Sequence, residues 1–103
     1  LGMSTTRVLA SLRDGPLYGL DVVDATGLPS GTVYPTLGRL EKRGLVRARW
    51  ENPKLAEEEG RPRRRYYRLT ADGKEALREA LERFREQAAA LGVLEPEPGG
   101  EEA

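Results

Sequence analysis

Apolar residues recur every three to four positions in four stretches of the chain and every second position in two others. Val8, Leu9 and Leu12 fall on one side of a short first helix that Thr5 or Thr6 can cap, and Asp14-Gly15-Pro16 ends it as a turn. A second helix is expected from about Leu17 to Ala25, with Leu20 and Val23 buried and Gly27 as its stop. In the third, Val33, Leu37, Leu40 and Gly44 form one stripe, whereas Thr32, Pro35, Thr36, Arg39, Lys42 and Arg43 point away from it. A proline deep in a helix loses a hydrogen bond and clashes with the preceding turn. The expected cap is therefore Thr32, which puts Pro35 at the third helical position, where the amide is unpaired anyway; Ser30 is a second capping candidate.

Strand periodicity follows. Leu45 to Glu51 alternates Val46, Ala48 and Trp50 on an inward face with Arg47 and Arg49 on the other; Arg64 to Leu69 alternates again, with Tyr67 and Leu69 inward. Between them, Asn52-Pro53 and Glu57-Glu58-Glu59-Gly60 are expected to form a loop of about a dozen residues, long for a hairpin. Thr70 then caps a final helix from Ala71 to about Leu91. Its apolar residues Leu77, Leu81, Phe84, Ala88 and Leu91 have the 4-3 spacing of a heptad seam. Residues 95–103, rich in Glu, Pro and Gly, are expected to be a disordered acidic tail.

The fold class is thus mainly α with a small β-hairpin: a winged helix-turn-helix over residues 1–70 and a long C-terminal dimerisation helix over 71–94. At 103 residues there is no room for a second independent core. Cysteine and histidine are absent, which removes thiolate nucleophiles, His-based general bases and the usual zinc ligand sets. No carboxylate cluster looks like a site, so an enzyme is not expected, nor is any cofactor. No apolar run is long enough to cross a membrane, and a cytoplasmic location is the default.

Charge changes the picture. The formal net charge is zero, but residues 1–70 carry 13 Lys/Arg against 8 Asp/Glu, and residues 71–103 carry 4 against 9. A basic body with an acidic C-terminal part suits a nucleic-acid binder with a separate assembly segment. The cations concentrate on the third helix and in Arg61, Arg63, Arg64 and Arg65 of the hairpin, where a winged helix meets a DNA groove. Arg39 is the candidate for base contact, because guanidinium pairs bidentately with guanine; its alternative is a surface ion pair with Glu41 or Glu79. Thr32 and Thr36 are candidates for a thymine methyl or a phosphate, against capping and plain solvent exposure. Pro35 can pack on a methyl or simply stiffen the helix start. Lys42 and Arg43 suit phosphates. The wing arginines suit phosphates too, against self-neutralisation by the neighbouring glutamates. Tyr34 reads first as a core residue with a hydroxyl handle, against a DNA contact, and Trp50 as a core or dimer-groove aromatic, against a stacking platform for a flat ligand. The C-terminal seam reads as a dimer contact, because a domain this small offers that helix no other partner.

Four motifs then stand in order: Gly15-Pro-Leu-Tyr-Gly19, Gly31-Thr-Val-Tyr-Pro-Thr-Leu37, Arg39-Leu-Glu-Lys-Arg-Gly-Leu-Val46, and Arg61-Pro-Arg-Arg-Arg-Tyr-Tyr-Arg-Leu-Thr70 with Gly73 beyond. Over roughly residues 8–80 the chain resembles the PadR family of bacterial transcriptional regulators, in its short subfamily. That resemblance implies a homodimeric regulator, most often a repressor, that binds a palindromic operator in double-stranded DNA. The third helix would enter the major groove and the wing would follow the phosphates or the minor groove. It also implies a possible small aromatic effector between the subunits. Two other readings of the basic surface are an interaction module for an acidic protein and a binder of double-stranded RNA; A-form major grooves disfavour the latter by excluding a recognition helix.

Overall fold

The computed structural model describes residues 1–93. Five helices and three short strands follow in the order α1 (Met3–Ser11), β1 (Leu17–Tyr18), α2 (Gly19–Thr26), α3 (Ser30–Lys42), β2 (Val46–Trp50), α4 (Pro53–Glu58), β3 (Arg65–Leu69) and α5 (Ala71–Ala90). The acidic segment 95–103 lies outside the described residues. The mainly helical fold with a small antiparallel sheet and a long last helix is the winged helix-turn-helix architecture expected.

One buried cluster joins every layer. Val8, Leu9 and Leu12 from α1 and its end meet Val22, then Val33, Leu37 and Leu40 of α3, then Val46, Tyr67 and Leu69 of the sheet, and Leu77 of α5. Their spacing follows from helix and strand periods, so a single core forms where these stripes converge. Burial of each such side chain contributes roughly 1.5–3 kcal/mol.

Several boundaries differ from the sequence reading. Helix α1 starts at Met3, and Thr6 is buried inside it with its hydroxyl donating to the Gly2 carbonyl at 2.9 Å. Leu17 and Tyr18 are not helical. They pair antiparallel with Tyr67 and Tyr66, giving a three-stranded sheet in the order β1-β3-β2. Starting α2 at Gly19 turns its phase, so Val22 is buried, Val23 is half-buried and Leu20 is 56% exposed. Gly27 ends α2 in the left-handed conformation with φ of 69°, as its position suggested.

Helix α3 begins at Ser30 with Pro29 as its cap residue, not at Thr32. Pro29 holds φ at −61° and ψ at 148°, and its carbonyl already accepts from the amides of Thr32 and Val33. Pro35 is therefore the sixth residue of the helix. The proline lacks the amide that would reach Gly31, and both residues lie on the exposed side, where water can reach the unpaired carbonyl.

The loop expected between the strands contains α4. Asn52 caps it by accepting from the Lys54 amide at 2.9 Å, Pro53 occupies the first position, and Ala56 is buried. At the other end of the hairpin, Thr70 caps α5 through the Gly73 amide at 3.0 Å and donates its hydroxyl to the Gly44 carbonyl at 2.7 Å. Gly73 sits so close to the Leu45 carbonyl that a Cβ there would overlap it. This junction fixes where α5 leaves the wing.

Candidate nucleic-acid interface

Helix α3 turns Val33, Leu37 and Leu40 inward and leaves Ser30, Pro35, Arg39, Lys42 and Arg43 exposed, with Thr32 half-buried. Thr36 departs from expectation. It is 1% exposed, and its hydroxyl oxygen accepts a hydrogen bond from Arg39 Nη2 at 3.0 Å. A side chain so placed cannot itself reach a base or phosphate; it holds Arg39, which keeps its remaining donors at the surface. Arg39 pairs with neither Glu41 nor Glu79 among the described residues.

Tyr34 is partly exposed, and its ring lies across the start of α2. A Cβ on Gly19 would overlap that ring, so the glycine lets the two helices of the helix-turn-helix approach. Beside it, Leu20 and Trp50 are also exposed and face the same groove of about 420 Å³ between wing and helices.

The wing arginines have four different environments. Glu51, whose side chain is 6% exposed, accepts from Arg61 Nη1 at 2.5 Å, Arg61 Nη2 at 3.2 Å and the Arg64 amide at 2.8 Å. Arg61 also reaches Glu59 at 2.9 Å. Arg61 is thus spent on closing the hairpin and is not an available phosphate ligand. The hydrogen bonds from Arg61 hold the Glu51 carboxyl below its ordinary pKa, aided by the Arg64 amide and against the opposing effect of burial. Its partner Glu51 raises Arg61 in turn.

Arg63 lies over the Trp50 ring at 5.4 Å and donates to the Glu51 carbonyl. Arg65 lies over Trp50 at 5.3 Å and pairs with Glu41 at 3.1 Å. Arg64 stacks on Tyr18 from the opposite side of the strand at 4.3 Å. Trp50 is accordingly not a core residue: at 50% exposed, it is a platform for arginines. Of the glutamate run only Glu59 forms an ion pair among the described residues, with Arg61, so the run leaves Arg63, Arg64 and Arg65 unneutralised. Glu51 and Tyr18, which organise this surface, escaped the sequence reading because their partners lie at least ten residues away.

The C-terminal seam divides. Leu77 is 6% exposed within the core and Ala80 is buried beside it, because α5 packs its first turns on α1. Leu77 therefore does not belong to a free dimer seam, and α5 does have a partner within its own chain. Further along, Phe84 and Ala88 are half-buried, while Leu81 and Leu91 are 42% and 80% exposed. No helix among the described residues is long and apolar enough to cross a membrane, and no group of three or more His, Cys, Asp or Glu among them could hold a metal.

Residues 8–79 match the model of the transcriptional regulator PadR-like family. The chain belongs to the PadR family. PadR-family regulators are DNA-binding proteins, not enzymes, in keeping with the chemistry of this surface. The fold recurs in a PadR-family transcription regulator from Clostridium difficile, 25% identical, with a TM-score of 0.77 over 88% of this chain and 96% of that one. A PadR-family regulator from Eggerthella lenta is 30% identical, with a TM-score of 0.71 over 85% and 77%. BpsR of Bordetella bronchiseptica, whose DNA binding is regulated by 6-hydroxynicotinic acid, is 30% identical, with a TM-score of 0.68 over 96% and 70%. No curated protein matches the chain.

Proposed function

We propose that this PadR-family chain is a homodimeric repressor in the cytoplasm that binds a palindromic operator through α3 and the wing. The observation that carries the reading is a set of cations that neighbouring side chains hold in place on α3 and in the wing. Arg39 is held by Thr36 on the exposed face of α3, while Arg63 and Arg64 are held on the rings of Trp50 and Tyr18 in the wing. Arg39 serves base contact, and Ser30, Thr32 and Pro35 line the helix end that enters the major groove. Lys42, Arg43, Arg63, Arg64 and Arg65 serve the phosphates. Residues 1–70 form the DNA-binding unit. The α5 segment, through Leu81, Phe84, Ala88 and Leu91, joins the two chains and places the recognition helices about one turn of DNA apart. The regulation of BpsR by 6-hydroxynicotinic acid supports a small aromatic effector for this chain too, held between the subunits.

The test is a titration of duplex DNA with the wild-type protein and with Arg39→Gln at several salt concentrations, with the stoichiometry of the complex measured alongside. Two chains per site, a steep salt dependence and loss of sequence preference in the variant support the reading. A single chain per site, or a preference untouched by the substitution, sinks it.

A further inference from the structure

The outer face of the wing sheet carries a charge arrangement that folding does not account for. Arg47 on β2 stands directly opposite Arg68 on β3, and Arg49 stands opposite Tyr66. All three arginines are exposed, and none has an ion pair or a side-chain hydrogen bond among the described residues. The other face of the same strands holds Val46, Tyr67 and Leu69 in the core, so the register cannot slip to separate the arginines without turning the core residues outward. Like charges directly opposite in an antiparallel pair are destabilising. The register thus sets two like charges opposite each other with no acidic partner for either among the described residues.

A wide cleft of about 1040 Å³ runs over this face, lined by Arg47, Arg49, Tyr66 and Arg68, with Arg63 at its edge. Arg63 also borders the groove that faces α2 and α3. The cationic surface is therefore continuous from the wing arginines around to the outer sheet face.

We propose that this outer face is a second phosphate-binding surface, on which Arg47, Arg49 and Arg68 hold the DNA backbone flanking the operator beyond the wing. The inference rests on the DNA-binding reading above and extends its footprint. Guanidinium is suited to phosphate oxygens by its planar fork of donors. Arg47 and Arg49 are two residues apart on an antiparallel strand, roughly 6.8 Å, far enough for the two guanidiniums to engage separate phosphates of one DNA strand. Bound phosphates would relieve the Arg47–Arg68 repulsion, which makes the cost present in the free protein and absent in the complex. Phosphates supply the negative charge and the acceptor oxygens that three guanidiniums require, whereas a protein partner would have to match them with carboxylates buried at a desolvation cost.

The test uses the full chain and a duplex enriched from randomised DNA, prepared with and without an added turn of unrelated sequence at each end. For the wild type, the flanks should tighten binding about tenfold and steepen the salt dependence by up to roughly three units of slope, nearly one per neutralised phosphate. The triple variant Arg47→Gln, Arg49→Gln, Arg68→Gln should lose that gain while binding the short duplex within about twofold of the wild type. Its thermal midpoint should stay or rise, because the repulsion is gone. A variant that keeps the flank gain overturns the proposal and leaves an acidic protein as the occupant of this face. So does equal loss on both duplexes, or a lowered midpoint, either of which would make the arginines structural or part of the operator contact. A wild type that binds the short duplex without any flank gain defeats this inference alone; failure to bind the short duplex defeats the operator reading with it.

Discussion

Thr36 is almost completely buried and Arg39, one turn later at the surface, donates to its hydroxyl at 3.0 Å. The buried threonine therefore aims the exposed arginine. Thr36→Val keeps the shape and removes the acceptor. Folding stability should change by only about 0.5–1.5 kcal/mol, the usual net contribution of one hydrogen bond. DNA binding should weaken further, with discrimination relaxed at the base pair proposed for Arg39. A double-mutant cycle with Arg39→Gln checks this, and additive losses would count against the coupling.

Glu51 gathers Arg61 and the Arg64 amide at the base of the wing. Its folded-state pKa lies below the ordinary 4.5, so its contribution to stability is present above about that pH and is lost as pH falls through the depressed value. Trp50, the single tryptophan, adjoins this residue and reports on the wing. Acid titration should shift its fluorescence below pH 4.5, and Glu51→Gln should remove that transition while loosening the wing at neutral pH.

Two glycines allow close approaches of different kinds. A Cβ on Gly73 meets the Leu45 backbone carbonyl, which has no rotamer to escape into, whereas a Cβ on Gly19 meets the Tyr34 ring, which can swing away. Thermal melts should show Gly73→Ala destabilised by about 1–3 kcal/mol and Gly19→Ala by less. Tyr34→Ala should largely abolish the effect of the Gly19 substitution.

The residues of α5 should separate fold from assembly. Leu77→Ala removes a core side chain and should cost about 2–5 kcal/mol of folding stability. Leu91→Glu, at an exposed position, should leave the melt of the domain nearly unchanged and move the protein from dimer to monomer in sedimentation. A variant that remains dimeric would place the assembly surface elsewhere.

Much of this architecture is legible in the chain. The Val33-Leu37-Leu40 stripe, the alternation around Val46 and Tyr67 and the Thr70 cap are local signals, and each element formed where its period lies. Strand β1 has only two residues and no period of its own; its pairing with Tyr66 and Tyr67 is a long-range event. Missing it also shifted α2 by two residues and exchanged Leu20 for Val22 in the core. Helix α4 did leave a trace, since Asn52-Pro53 has the form of a cap followed by a first-turn proline. Pro35 misled because its cost is local, whereas the start of α3 is set upstream by Pro29. At the interface, the cationic positions could be read but their partners could not. Glu51 with Arg61 and Tyr18 with Arg64 are matched only once the hairpin and β1 are in place.

Selection of bound duplexes from a randomised pool measures sequence-specific recognition by a symmetric dimer. An enriched palindrome is expected, with half-site centres about 10 base pairs apart, the spacing of two recognition helices related by a twofold axis. A bound pool with no sequence in common, held only by weak salt-sensitive contacts, would contradict it.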